Sequence, residues 1–331
     1  DENEAGDNLA RQIRELGIAA PFVLSSVHGK RLASRLEGPQ PIETHAGGAD
    51  QVWAAELGAR AKRSGADVVV AIGGGRCIDV GKLAAARAGL GLVTVPTQLS
   101  HDGICSPVAV VPDESGRTES LGAVVPRAVF VSIPTLVDAP PDSLRAGLGD
   151  LLANPFALRD WKLAAEHGLD TLDQRSWDLS EQSFDLVEPY LDGDRLGSDP
   201  ELFRRVADAL VLSGMAMICA GTSRPASGGE HEISHAIDEL FEGRALHGAQ
   251  VAFGCIFSAA LYGVDTGQFR ARLRGLGLPD HPGDLGLGID DTTRLLLAAP
   301  GTRPGRFTIL EDADLDDSAA RALIARIWDQ T

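Results

Sequence analysis

An α/β domain followed by a helical domain is the fold that this sequence of 331 residues predicts. In the first 140 residues or so, short apolar runs alternate with helical patterns, which is typical of a largely parallel sheet. After Pro140-Pro141 the pattern becomes mostly helical. The length and a hydrophobic content of 44% are sufficient for two cores. We therefore expect an α/β domain over residues 1–138 and a helical domain over residues 139–331.

Apolar, β-branched runs predict the strands of the α/β domain, and the turn-rich segment 112–116 separates the last two of them. These runs are Phe22–Leu24, Val68–Ile72, Leu92–Val95, Val108–Val111 and Ala128–Ile133. Helical periodicity marks one segment of this domain and three of the second. The four predicted helices are Ile78–Ala88, Leu202–Ala220, Glu230–Phe241 and Ala249–Gly263.

Charge and hydropathy exclude two classes of partner. The formal net charge is −17, so no basic field is present that would bind a nucleic acid. No apolar run approaches the roughly 18 residues that a membrane helix needs. The first residues are acidic and do not resemble a signal peptide. We expect a soluble, cytoplasmic protein without a membrane span, and its four cysteines, which form no C-x-x-C pair, to be reduced thiols.

A glycine-rich turn follows the predicted strand Val68–Ile72. Gly73, Gly74 and Gly75 lead directly into the predicted helix that contains Asp79. Glycines let a backbone approach a pyrophosphate closely, and a helix start offers free N–H groups and the positive end of the helix dipole. The G-x-G-x-x-G fingerprint is absent, so the turn is either a phosphate-binding loop or only a tight turn.

Three of the eight histidines cluster in the second domain, and Asp150 provides a carboxylate near the start of that domain. His231 and His235 are four residues apart, on one face of a helix, and His247 follows. One carboxylate and two imidazoles with an open position suit a catalytic zinc ion. Spacing alone also allows a histidine pair without function. The segment matches H-E-x-x-H, but the glycine turn and the α/β first half argue against a zinc protease.

Together, these segments resemble the glycerol-1-phosphate dehydrogenases, which are related to glycerol dehydrogenase, iron-containing alcohol dehydrogenases and dehydroquinate synthase. The resemblance extends from about residue 20 to the C-terminus. The motifs that carry it are G-G-G-x-x-x-D at 73–79, P-T-x-x-S-x-D-G at 96–103, G-L-G-D at 147–150, R-D-W at 159–161, S-R-P-A-S-G at 223–228, E-H-x-x-S-H-A-x-D at 230–238, L-H-G-x-Q-V at 246–251 and R-P-x-R-F-T-I-L at 303–310.

The resemblance implies a dehydroquinate synthase-like fold, with an N-terminal dinucleotide-binding domain and a C-terminal helical domain that binds metal and substrate. It implies an oxidoreductase that uses NAD or NADP and a divalent metal to reduce glycerone phosphate to sn-glycerol 1-phosphate. The metal ligands it implies are Asp150, His231 and His247. Cofactor contacts fall on Gly73, Gly74, Gly75, Asp79, Thr97, Ser100 and Ser106. Substrate contacts fall on Asp102, Asp150 and His235. Asp102, His235 or a metal-bound water could be in the proton path, and the sequence does not rank them.

Departures from the related families refine this interpretation. Iron-type alcohol dehydrogenases usually carry a histidine four residues after the metal-binding aspartate, whereas this chain has Asn154. Three protein ligands and zinc therefore fit better, although iron or nickel could use the same set. Pro155 is expected to alter the local helix. Arg224 and Arg303 are candidates for binding the substrate phosphate, and each could equally be a structural ion pair.

Several alternatives stay open at this point. The same fold could act on an unphosphorylated polyol or on a ketone or alcohol of specialised metabolism. It could also be a cyclising lyase like dehydroquinate synthase, or a binding protein without catalysis. The choice between NAD and NADP, the metal and the oligomeric state are not readable from the sequence, and a homo-oligomer is allowed.

Overall fold

The computed structural model describes residues 2–36, 42–43, 50–114, 116, 118–191 and 199–328. The chain forms two compact units, Asp1–Pro140 and Pro141–Thr331. The first contains a parallel sheet and the second is helical over its described residues, which confirms the predicted fold class. None of the described helices combines the length and the apolar character that crossing a bilayer requires.

A five-stranded parallel sheet forms the centre of the first unit, in the order β2-β1-β3-β4-β7. Its strands are β1 (Pro21–Ser25), β2 (Ile42–Glu43), β3 (Val68–Gly73), β4 (Gly91–Pro96) and β7 (Ala128–Val129). All six residues of β3 are buried. Val69 and Ala71 belong to one core cluster, and Val70 and Ile72 belong to the other. Both faces of β3 are therefore covered, which explains its continuous apolar run.

Helices cover the sheet of the first unit. They are α1 (Glu2–Glu15), α2 (Lys30–Ala33), α3 (Gln51–Arg63), α4 (Gly75–Ala88) and α5 (Ile133–Val137). Residues of α1 pack in the cluster that contains Val70, whereas residues of α3 and α4 pack in the cluster that contains Val69. The predicted helix Ile78–Ala88 is thus found, three residues longer at its start.

Two predicted strands differ from the structure. Val108–Pro112 (β5) does not join the parallel sheet but pairs antiparallel with Thr118–Gly122 (β6), a strand that was not predicted. The two strands therefore form an antiparallel pair, and the polar residues of β6 concealed the second strand. The predicted strand Ala128–Ile133 ends after Val129, because Ser132 caps α5 and Pro134 lies in its first turn.

The second unit consists of ten α-helices over its described residues. They are α6 (Pro141–Leu151), α7 (Asn154–Glu166), α8 (Gln174–Val187), α9 (Pro200–Ala220), α10 (Gly229–Phe241), α11 (His247–Leu261), α12 (Thr266–Leu276), α13 (Ile289–Ala298), α14 (Ile309–Ala313) and α15 (Asp317–Trp328). Helix α11 is buried along nearly its whole length and packs against both α6 and α10. A helix that is apolar on all sides belongs in a core. The elements next to it carry the candidate site.

Candidate active site

Three helices of the second unit bring the predicted metal ligands together. Asp150 lies near the end of α6, His231 in the first turn of α10, and His247 begins α11. The Oδ1 atom of Asp150 lies 3.6 Å from Nε2 of His231 and 3.8 Å from Nε2 of His247. One ligand atom from each residue lies within 4.8 Å of the other two. One carboxylate and two imidazoles at this spacing fit a divalent metal ion.

Two glycines allow these helices to approach so closely. A Cβ atom on Gly149 of α6 would lie 3.0 Å from the carbonyl carbon of Gly248 and closer still to its oxygen. A Cβ atom on Gly254 of α11 would lie 2.9 Å from the Cα atom of Glu230. Real Cβ atoms essentially never come under 3.0 Å to another atom. Helix α11 therefore contacts α6 and α10 backbone to backbone, which sets the spacing of the ligands.

Glu230 orients the imidazole of His231. Its Oε1 atom lies 3.0 Å from Nδ1 of His231 and accepts a hydrogen bond of 2.6 Å from the N–H of Gly228. A carboxylate at Nδ1 keeps the proton there and turns Nε2 toward Asp150, as in the carboxylate–histidine pairs of metal sites. Burial lowers the pKa of His231, but Asp150 and Glu230 outweigh it and raise this pKa to about 9. The pocket is therefore built to favour a positive charge at this position.

The second imidazole, His247, is held from two sides. Its Nδ1 atom lies 3.3 Å from the hydroxyl of Ser234 in α10. Gln250, one turn further in α11, accepts hydrogen bonds from the N–H groups of Arg244 and Ala245, at 2.7 and 3.2 Å. The amide of Gln250 thus fixes the loop that enters α11. This gives a physical role to the Gln of the motif L-H-G-x-Q-V.

A buried carboxylate, Asp160 of α7, links the start of α10 to two other segments. It accepts hydrogen bonds from the N–H of Gly229 at 2.7 Å, the N–H of Ile309 at 2.9 Å and the hydroxyl of Tyr262 at 2.5 Å. Burial, together with nearby Glu230, raises the pKa of Asp160 to about 7. This residue ties the first turn of α10 to the first turn of α14.

Glu232, also fully buried, lies between the first turns of the same two helices. Thr308 donates to it at 3.0 Å. Burial and the charge of Glu311 raise the pKa of Glu232 to about 9, so it is a neutral acid at neutral pH. The middle residue of H-E-x-x-H is therefore an internal packing group in this fold.

His235 lies one helical turn after His231, with its ring 6.2 Å from that of His247. Its Nε2 atom lies 2.8 Å from Nη2 of Arg303. Because a guanidinium can only donate, Nε2 accepts, and the proton of the ring is on Nδ1. Burial and the charge of Arg303 hold the pKa of His235 well below its usual range. His235 is therefore a neutral imidazole next to the ligand set.

Three arginines line one cavity of about 340 Å³ in this unit. Arg224 forms an ion pair with Asp170 at 2.8 Å and donates to the carbonyl of Phe307 at 2.7 Å. Arg303 and Arg306, called the arginine pair below, have no carboxylate oxygen within 4.0 Å among the residues that the structure describes. The ion-pair interpretation thus holds for Arg224 and fails for Arg303.

Asn154, which replaces the expected fourth histidine ligand, has a structural role. Its Nδ2 atom donates to the hydroxyls of Ser183 at 2.6 Å and Ser213 at 3.3 Å. Pro155 does not distort the helix, because α7 begins at Asn154 and proline is well tolerated in a first turn. Three protein ligands therefore complete the set found among the described residues.

The glycine turn of the first unit lies between β3 and α4. Gly74 precedes α4 in an extended conformation and makes no side-chain cap, so the helix start is left to its backbone N–H groups. Side chains crowd the turn: a Cβ atom on Gly73 would lie 2.6 Å from Cβ of Cys77, and one on Gly74 would lie 2.7 Å from Nε2 of Gln98. A Cβ atom on Gly75 would overlap His101. Because no side chain caps α4, its first backbone N–H groups can donate to a ligand, which suits the pyrophosphate of a dinucleotide.

The other predicted cofactor residues surround a buried lysine of α4. Nζ of Lys82 lies 3.6 Å from Asp79 and donates to the hydroxyl of Ser106 at 3.2 Å and to the carbonyl of Val108 at 2.6 Å. Lys82 is fully buried, and burial lowers its pKa while it raises that of Asp79. Asp79 and Ser106 thus anchor the base of the glycine turn, a link that the sequence did not indicate.

The polar loop after β4 contains the remaining predicted residues of this unit. Thr97 is buried and donates its N–H to the carbonyl of Gly73 at 3.0 Å, which joins the loop to the glycine turn. Ser100 is also buried. Asp102 is half-buried and begins a short 3-10 helix, Asp102–Ile104. The structure therefore places the loop beside the helix start that the cofactor is expected to use.

Sequence reasoning missed several residues of the second unit. Glu230 is the direct neighbour of a predicted ligand, and a carboxylate beside a metal-binding histidine is a recognisable signal. Arg306 follows Arg303 by three residues in R-P-x-R, which places both on one turn. Gly149 and Gly254 carried no such signal, because the need for a glycine inside a helix depends on the neighbouring helix that packs against it.

Comparison with known proteins places these features in a family. Residues 5–140 match the family model described as iron-containing alcohol dehydrogenase. The NAD(P)+ glycerol-1-phosphate dehydrogenase of Methanoculleus marisnigri is 35% identical over 310 residues, covering 91% of this chain and 83% of the relative. The enzyme of the same name from Pyrococcus furiosus is 41% identical over 251 residues, covering 76% and 72%.

Solved structures agree in fold. A probable glycerol dehydrogenase from Sinorhizobium meliloti superimposes with a TM-score of 0.79 at 24% identity, covering 97% of this chain and 93% of that one. The glycerol dehydrogenase of Schizosaccharomyces pombe gives a TM-score of 0.76 at 18% identity, covering 98% and 86%. With the sequence relatives above, these matches establish that the chain belongs to the glycerol-1-phosphate dehydrogenase family of NAD(P)-dependent, metal-binding oxidoreductases.

Proposed function

We propose that this protein reduces glycerone phosphate to sn-glycerol 1-phosphate, using NADH or NADPH and a zinc ion. The observation that carries the proposal is the convergence of Asp150, His231 and His247 from three helices, within 4.8 Å of one another. This chain matches the two glycerol-1-phosphate dehydrogenases named above over most of their length, which supports the choice of substrate.

The ligand set supports zinc as the metal. Two imidazoles and one carboxylate leave a fourth position for a substrate oxygen, as in catalytic zinc sites. Position 154 is an asparagine instead of a histidine, and its amide is bound to two serines, so we expect no fourth protein ligand there. The four cysteines are unpaired thiols, as is usual in a reducing compartment, which supports a cytoplasmic location.

The metal and the nicotinamide cofactor would each supply a distinct part of the chemistry when bound. A divalent metal supplies a Lewis acid for a ketone oxygen, and a reduced nicotinamide supplies a hydride. The protein's own part is to hold and orient. Glu230 keeps the lone pair of His231 Nε2 directed at the metal position, and Ser234 would do so for His247 when its hydroxyl accepts from Nδ1–H. The bare start of α4 binds the dinucleotide phosphates.

His235 contributes a neutral donor beside the ligand set. Arg303 occupies its Nε2 atom, so Nδ1–H is the group that can donate to a substrate oxygen. An imidazole with a lowered pKa does not store a proton at neutral pH. His235 therefore offers its Nδ1–H as a hydrogen-bond donor, and Asp102 and His235 both remain our candidates for the proton path.

The test measures oxidation of NADH and NADPH by the zinc-loaded protein, with glycerone phosphate as substrate and dihydroxyacetone as the control ketone. Turnover that depends on the phosphate and gives only the 1-phosphate enantiomer is the expected result. Asp150→Ala should reduce kcat at least about a thousandfold, because it removes a metal ligand. Asp142→Ala, on the exposed start of the same helix, is the matched control.

Other outcomes would redirect the proposal. Full activity of Asp150→Ala in metal-free buffer would contradict the metal role. Turnover of dihydroxyacetone alone would assign an unphosphorylated polyol as the substrate. Product formation without net oxidation of cofactor would indicate a cyclising lyase.

A further inference from the structure

The arginine pair, Arg303 and Arg306, is held as a unit by one hydroxyl. Nη1 of Arg303 donates to Oγ of Ser223 at 3.1 Å, and Nη2 of Arg306 donates to the same atom at 2.8 Å. Arg306 also donates to the carbonyl of Ser227. Because both guanidinium groups bond to one oxygen, they are direct neighbours. Two like charges are thus fixed side by side by neutral acceptors.

The pair has no direct carboxylate partner among the described residues, although the buried Glu232 and Glu230 act favourably on its charge. No carboxylate oxygen lies within 4.0 Å of either guanidinium in the described part of the chain, whereas neighbouring Arg224 has Asp170 at 2.8 Å. Burial, then the charges of Arg303 and Arg224, lower the pKa of Arg306 to about 10, while Glu232 and Glu230 act in the opposite direction. Buried cations normally have a partner, since an unpaired buried charge is costly. An anion supplied from outside would satisfy this pair.

The pair also has the donors that such an anion needs. A guanidinium carries five N–H groups in a rigid fork, and the bonds to described residues use two on each. The fork matches the oxygens of a phosphate. Between the two arginines, Gly305 adopts a φ of +85°, and a Cβ atom there would meet nothing within 4 Å. The turn therefore leaves the cavity lined by the pair open on this side.

The position of the pair relates it to the ligand set. Arg303 contacts His235, whose ring neighbours that of the metal ligand His247. The rings of His235 and His247 therefore lie between Arg303 and the predicted metal position. In glycerone phosphate, one methylene and one ester oxygen separate the carbonyl carbon from the phosphorus. We infer that a molecule of this kind, with its ketone at the metal position, directs its phosphate toward the arginine pair.

We propose that Arg303 and Arg306 form the site that binds the substrate's phosphate and so make the enzyme select phosphorylated ketones, an inference that rests on the proposed function. Arg224 borders the same cavity, but two of its nitrogens are bound to Asp170 and Phe307, so its part is to hold the wall of the site. The anion is recognised by its charge and its three terminal oxygens.

The experiment compares the wild type with Arg306→Gln, Arg306→Lys and Arg204→Gln, all zinc-loaded. Arg204→Gln removes one charge from an exposed position of α9 in the same unit and is the matched control. The Kd of inorganic phosphate is measured by calorimetry, and KM and kcat are measured with glycerone phosphate. We expect Arg306→Gln to raise both Kd and KM on the order of 30- to 100-fold. The lysine variant, which keeps charge but loses the fork, should lie in between.

The outcomes separate this inference from the proposed function. If the wild type binds phosphate but does not reduce glycerone phosphate, the proposed function fails, and loss of phosphate binding in Arg306→Gln alone still supports the anion site. Unchanged phosphate affinity in a folded Arg306→Gln protein would overturn the inference. So would an equal loss in Arg204→Gln, which would indicate general charge attraction. If Arg306→Gln does not fold, Arg306→Lys provides the test. Kd and KM values equal to those of the wild type in that variant would show that the guanidinium group is not needed for phosphate binding, which would overturn the inference.

Discussion

Replacing Gly149 with alanine tests whether close helix packing sets the metal site. The added Cβ atom would lie 3.0 Å from the carbonyl carbon of Gly248, closer still to its oxygen, and 3.1 Å from Cβ of Ala252. Ordinary contact begins at 3.4 Å, so α6 and α11 must separate by roughly 1 Å. Overpacking of this kind costs about 1–3 kcal/mol, and the better helix propensity of alanine offsets up to about 1 kcal/mol of it.

The same shift moves Asp150 away from His247, whose ligand atoms are now 3.8 Å apart. Metal sites tolerate only about 0.2 Å of error in ligand distances, so we expect zinc affinity to fall about 10- to 100-fold. Chelator competition measures the affinity, and urea unfolding measures the stability. Gly301→Ala, where a Cβ atom meets nothing within 4 Å, should behave as the wild type. Wild-type affinity in Gly149→Ala would refute the argument.

Four further changes probe other features. Glu230→Gln should weaken zinc binding about tenfold in chelator competition, since the amide holds the His231 proton less strongly, and an unchanged affinity would contradict this role. Lys82→Met should cost about 3–5 kcal/mol in urea unfolding, because it leaves Asp79 buried without its cation; a fully stable variant would show the pair to be dispensable. Under native conditions a thiol reagent should modify one exposed cysteine per chain, Cys219, and the three buried thiols only after unfolding; a Cys219→Ser protein that still reacts quickly would disprove this. The pKa of Asp160 is about 7 in the folded state, against an ordinary value of 3.8, so the folded state binds this proton more tightly than the unfolded state does. The protonated carboxyl therefore contributes fully to the stability of the fold below pH 4, and this contribution is lost as the pH rises through 7. The stability advantage of the wild type over Asp160→Asn should therefore shrink between pH 5 and pH 8 in urea unfolding, and growth of that advantage would reverse the assignment.

The sequence predicted the main strands and the site helices because their signals are local. Val68–Ile72 is apolar throughout since both of its faces are covered, and the spacing of His231 and His235 is that of a helical turn. The hairpin of β5 and β6 was missed because a strand's partner is not encoded in its own residues. Position 118–122 is polar and short, so nothing in its composition marks it as paired.

Roles that depend on distant segments could not be predicted in the same way. Arg224 and Arg303 look equivalent in the sequence, but among the described residues only Arg224 has an acid partner, which lies 54 residues earlier in the chain. The sequence showed that Asn154 stands where a metal-binding histidine occurs in related enzymes. It could not show that Asn154 donates hydrogen bonds to Ser183 and Ser213. Such assignments need tertiary contacts, which a pattern of residue types does not contain.

The bonds of Asp160 also bear on the order in which this unit folds. Its three partners lie 69, 102 and 149 residues further along the chain. Contacts of such high sequence separation close long loops, whose entropic cost makes them form late. Asp160 anchors the turn that starts α10, two residues before His231. We therefore expect the ligand pocket to be completed only when the C-terminal segments have docked, so that a chain truncated before residue 309 would form helices but bind zinc weakly, which chelator competition on such a chain would test.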